Sequence, residues 1–146
     1  MRGYVALMAV LLVAGCGRSN DREVKLEFRI VETEPAEGLA EVTFPGTGES
    51  LYLHDEILLS NADVDTARVT TLNGRPAVEV IMTEDGAKKF ALLTRKNIGK
   101  RVGILVDGKL VTAPVIRSQI FRGKALINGD FTREEAERIA KGIVPR

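Results

Sequence analysis

The chain has 146 residues with one cysteine, no tryptophan and a net charge of +1. A single cysteine excludes an intramolecular disulfide, and scarce aromatics leave an aliphatic core of Val, Ile, Leu and Ala to supply stability by packing. The small net charge hides an asymmetry: residues 17–82 carry 13 acidic and 6 basic side chains, whereas residues 83–146 carry 7 and 14.

The N-terminus reads as a targeting segment. Arg2 precedes the apolar run of residues 4–15, and small residues then lead into Cys16, the order of a secretory signal. The run is well short of the roughly 20 residues that a bilayer core requires. Val13-Ala14-Gly15-Cys16 resembles the bacterial lipobox. The expectation is a lipoprotein signal peptide over residues 1–15, cleavage before Cys16 and lipid on its thiol. Residues 16–22 then form a lipidated tether, and residues 23–146 a single domain. Gly17 rather than Asp follows the cysteine, which favours the outer membrane in a Gram-negative source.

Residues 24–30 alternate apolar and charged, so a half-buried strand is expected with Val24, Leu26, Phe28 and Ile30 inward. A Gly-, Pro- and Glu-rich loop follows, with a weak edge strand near residues 42–44 and a short strand at 51–53. Residues 61–67 suggest a helical turn. Strands at 68–72 and 76–82 flank Asn73-Gly74, a strong hairpin dipeptide.

Thr83 is a plausible N-cap for a helix carrying Ala87, Phe90, Ala91 and Thr94, closed by Asn97-Ile98-Gly99. A strand at 101–106, the tight turn Asp107-Gly108 and a return strand at 109–115 come next, and Pro114 marks an edge or a bulge. After a strand at 125–127, Thr132 and Glu135 form a capping box ahead of the stripe Ala136, Ile139, Ala140 and Ile143. Helices this short are unstable alone, so both must lie on a sheet.

Catalytic chemistry is hard to find. His54 is the only histidine; it neighbours Asp55 and Glu56, but no nucleophile stands in a recognisable motif. Asn61, Asp63 and Asp65 have the spacing of a calcium loop that fails at Thr66 and Leu72. Glycines near Gly46 do not join a strand to a helix, so no phosphate loop is expected. The residues argue against an enzyme and imply no cofactor, metal or small-molecule substrate. Nucleic acid is disfavoured because the basic residues lie among acids, without aromatic interleaving. The charge asymmetry is compatible with mutual neutralisation of the two halves, or with a basic face toward anionic lipid or an acidic partner.

Phe90-x-x-Leu93-Thr94-x-x-Asn97-Ile98-Gly99-Lys100 and Val106-Asp107-Gly108-Lys109-Leu110-Val111-x-Ala113-Pro114 together resemble the head subdomain of the first periplasmic domain of SecD and SecDF, the protein-export membrane proteins. Leu58 to Val64 is similar to the entry to that subdomain, and Ile120 to Ala136 to its close. The resemblance implies an α+β fold: one domain, an antiparallel sheet and two helices packed on one face. It implies a polypeptide-binding surface and no catalytic residue. The family's multi-helix membrane portion and base subdomain have no counterpart in this stretch.

The function expected is therefore a non-catalytic, membrane-anchored lipoprotein of the cell envelope, facing the periplasm or exterior. It binds a polypeptide or protein partner as an accessory to export. The alternative is a structural or assembly subunit that uses the fold only for docking. For partner binding, strand addition is expected near Ile116, Arg117, Ile120, Phe121 and Arg122.

Overall fold

The structure, a computed structural model, describes residues 22–145. The signal segment and Cys16 lie outside the described residues. The described chain is an α+β domain with β1 (Leu26–Glu32), β2 (Ala40–Thr43), β3 (Ser50–Leu53) and β4 (Leu59–Ser60). After a 3₁₀ turn at Asn61–Asp63 come the hairpin strands β5 (Val64–Leu72) and β6 (Arg75–Met82), then helix α1 (Glu84–Lys96). The second half holds β7 (Arg101–Val106), β8 (Lys109–Thr112), β9 (Lys124–Asn128) and helix α2 (Arg133–Ile143).

Local chemistry produces most of these boundaries. The two hairpin turns place Asn73 and Asp107 at φ 50° with Gly74 and Gly108 at 78° and 79°, the positive values that a type I′ turn requires at both positions. Thr83 caps α1 by accepting from the Gly86 amide at 3.0 Å. At α2, Thr132 accepts from the Glu135 amide at 3.1 Å while Glu135 accepts from the Thr132 amide at 2.8 Å, which completes the capping box. Gly99, at φ 87°, lets the chain leave α1.

The strands are antiparallel and divide into two sheets. One runs β2-β3-β1-β7-β8, with β4 also pairing β1; the other runs β5-β6-β9. Strand β8 stops at Thr112, ahead of Ala113-Pro114, because proline cannot donate to a ladder. Beyond Pro114 the chain touches the β7 side through a lone bridge between Val115 and Arg101, and it next forms a strand at β9, on β6 of the other sheet.

The main core lies between these sheets and the helices. Val24, Leu26, Phe28 and Ile30 enter it, as the alternation predicts, beside Val102, Ile104, Val78, Val80 and Ile127. Phe90 of α1 meets Phe28 edge-on, with ring centroids 5.9 Å apart at 67°. Helix α2 packs on β5 and β6 through Ala136, Ile139, Ala140 and Ile143.

Two sequence expectations change. The half-buried β1 is in fact covered on both faces, because a second apolar cluster of Val31, Leu51, Leu53, Leu105, Leu110 and Ala113 forms on its far side. The helical turn expected over 61–67 ends at Asp63. From Val64 the β-branched chain instead pairs with β6, bulging between Val64 and Thr66.

Candidate functional site

Where β8 and β9 part, an apolar cleft of about 390 Å³ opens between the sheets. Its floor is Phe28, Phe90, Val102 and Ile104 from the main core, and one wall is Ala125 and Leu126 of β9. Strand β9 pairs β6 on one side only, so among the described residues its other edge has no strand partner. Beside the cleft residue Asn128, the Thr112 hydroxyl donates to Asn128 Oδ1 at 3.3 Å, a polar contact bridging the ends of β8 and β9. An apolar hollow beside an unpaired strand edge can accept an extended peptide, with backbone pairing along the edge and alternate side chains in the hollow.

The residues proposed from sequence lie along the other lip, but not as a strand. The segment from Ala113 to Gly123 is irregular apart from a bridge between Val115 and Arg101. Ile116 is buried in the core, 3 % exposed. Its N–H donates to the Lys100 carbonyl and its own carbonyl accepts from the Gly99 amide, each at 2.8 Å. This corrects the expectation that Ile116 opens a docking strand: its backbone groups are already used. Arg117 and Ile120 line the cleft. The Ile120 N–H donates to Thr94 Oγ1 at 2.9 Å, which pins the lip to α1. Phe121 and Arg122 are exposed and lie outside the cleft lining.

The free edge of β9 was missed because the short apolar run Ala125-Leu126-Ile127 says nothing of which neighbour is absent. The signal available was Pro114 followed by an irregular basic stretch, which prevents β8 from extending alongside it.

A second hollow, of about 440 Å³, flanks α1 with a floor of Ile30, Leu58 and Leu93. Two of its three lysines are paired. Lys89 pairs with the buried Asp63 at 2.8 Å, and Lys100 pairs with Glu32 at 3.1 Å. His54 Nε2 is 3.0 Å from the same Glu32 oxygen. Those hydrogen bonds, from His54 first and then Lys100, hold the Glu32 carboxyl below its ordinary value. The bond to Asp63 likewise raises the Lys89 ammonium above its own. His54 is thus one of two side chains hydrogen-bonded to the Glu32 carboxylate. Asp55 reaches toward Arg29 instead, at 3.9 Å. Among the described residues no group of three His, Cys, Asp or Glu side chains is arranged to hold a metal ion.

The family model for the SecDF P1 head subdomain matches residues 37–143. The SecDF protein translocase subunit of Thermus thermophilus is 51% identical over 84 residues, 57% of this chain and 11% of that protein. The SecD subunit of Acidaminococcus fermentans is 34% identical over 108 residues, 73% of this chain and 26% of that protein. A solved structure of SecDF, described as a membrane component that enhances protein export, superposes with a TM-score of 0.67 at 34% identity. It covers 84% of this chain and 63% of the solved one. SecDF in a super-membrane-facing form gives 0.68 at 36% identity over 84% of this chain and 19% of that one. This chain spans between 11% and 26% of the length of the two subunits described.

Proposed function

This chain belongs to the SecDF P1 head subdomain family, and from that premise we propose that it is a non-catalytic polypeptide-binding module of the cell envelope, accessory to protein export. Lipid on Cys16 holds it at the membrane, facing the periplasm or exterior. The relatives are named as translocase subunits, whose cargo is polypeptide. The observation that carries the reading is the cleft between the sheets. It has an apolar floor, a basic lip at Arg117 and a strand edge without a partner.

An extended segment adding to β9 gains backbone hydrogen bonds that depend little on sequence. The hollow beside it selects apolar side chains. Such binding is weak and tolerant, as a client still in transit requires. The five-residue length of β9 and Lys124 at its start limit pairing between copies of the chain.

Amide exchange of the full chain, with and without an unfolded, reduced polypeptide, tests the reading. Protection is expected along residues 124–128. Protection confined to the outer face of α2 would favour a docking block for one fixed partner. No protection anywhere would count against peptide binding.

A further inference from the structure

The turn at Ile120-Phe121-Arg122 stands off the surface beside the cleft. Phe121 is 72 % exposed, the highest value among the exposed large apolar side chains of the described residues. It is not a loose tip. The Ile116 and Ile120 amides are both hydrogen-bonded, and the Gly123 carbonyl accepts from the Met82 amide at 2.8 Å. The backbone on both sides is therefore held while the ring projects.

The charge along this stretch of chain has one sign. From Pro114 to Gly129 the chain holds Arg117, Arg122 and Lys124 and no acidic residue. All three cations are exposed, and none joins an ion pair among the described residues. Elsewhere on the surface, basic side chains such as Lys88 and Arg133 sit opposite a carboxylate.

We propose that this turn is a contact with an anionic lipid surface. Phe121 and Ile120 enter the interfacial zone, and Arg117, Arg122 and Lys124 meet lipid phosphates. Charge complementarity chooses this occupant. A bilayer satisfies the apolar tip and all three cations together, whereas a protein partner needs carboxylates placed around an apolar socket. Each cation at an anionic leaflet is worth about fivefold in partitioning, so three give about a hundredfold preference over a neutral one. The contact holds the mouth of the cleft next to the bilayer and shares Arg117, Ile120 and Lys124 with the cleft lining, whereas Phe121 and Arg122 lie outside it.

The chain lacks tryptophan, so F121W installs a single reporter. The full chain is added to phosphatidylglycerol or phosphatidylcholine vesicles carrying brominated acyl chains. The readout is the environment of that one side chain, whatever brings the protein to the vesicle. Emission of F121W is expected to shift blue and be quenched on the anionic vesicles. Quenching should be at least about tenfold weaker on the neutral ones, or when R117Q, R122Q and K124Q are combined with F121W. I57W, on an exposed apolar residue beside Asp55 and Glu56, is expected to stay unquenched on both. Water-like emission of F121W on anionic vesicles overturns the proposal. So does equal quenching on both lipids. A blue shift of F121W produced by an acidic unfolded polypeptide without lipid, and absent with lipid alone, assigns the turn to a protein partner instead.

Discussion

Asn61 shows how much one side chain contributes. Its amide oxygen accepts from the Leu26 N–H, and its amide nitrogen donates to the carbonyls of Val24 and Ile143, each at 2.8 Å. It bolts the start of β1 to the end of α2. Asn61→Ala leaves three backbone groups without this partner and is expected to cost about 2–3 kcal/mol, read as a lower urea midpoint at unchanged slope. Glu27 is a second such residue, 2 % exposed on β1. Burial raises its pKa, but hydrogen bonds from Lys25 and Arg29 outweigh burial and leave the carboxyl below its ordinary 4.5. The folded pKa lies under the unfolded one, so this stabilisation is complete above 4.5 and is lost as pH falls through the folded value. Glu27→Gln is therefore expected to be less stable than the parent at neutral pH, with the gap closing in acid. A gap independent of pH would mean that the charge on Glu27 is not what matters. Neither role is legible in sequence: Asn61 looks like part of a failed calcium loop and Glu27 like the solvent side of an alternating strand.

At the scale of elements, α2 was the most legible, since its capping box and its apolar stripe lie within a dozen residues. Ile139 is 2 % exposed against β5 and β6. Ile139→Asp places an unpaired charge there and is expected to cost several kcal/mol, a large share of the roughly 5–15 kcal/mol by which a domain is stable. Thermal unfolding that matched the parent would take α2 off the core. Gly142 belongs to the same contact: an added Cβ would meet the Arg22 carbonyl at 2.9 Å, so only glycine lets the first described residues cross the helix. The two hairpins were equally legible, because Asn-Gly and Asp-Gly encode their turn in two residues. Strand β4 was not. It has two residues and exists only because Leu59 and Ser60 find Phe28 and Glu27 of β1.

For the whole molecule, the proposed function joins three features: a lipid anchor, a cleft for extended polypeptide and a basic apolar turn at the membrane. The anchor is tested separately. Cys16→Ser is expected to abolish incorporation of labelled fatty acid and leave an uncleaved or soluble precursor. A parent chain that takes up no label would remove the anchor while leaving the cleft untouched. The charge asymmetry between the halves also acquires a place, since the acid-free stretch from Pro114 to Gly129 concentrates exposed cations beside the cleft.

The sequence by itself determined the helices, their caps, the two tight turns and the inward face of β1. Each depends on φ preferences, hydrogen bonds or periodicity within a few residues. The motif series also pointed to the family. Tertiary structure alone decided that the strands form two sheets, that β1 is covered on both faces, that Ile116 is core rather than surface, and that β9 keeps a free edge. Those outcomes depend on which distant segments meet, as when Ile116 binds the backbone of Gly99 and Lys100. A backbone amide has no preference written in its own residue for one distant carbonyl over another; packing of the whole chain makes that choice.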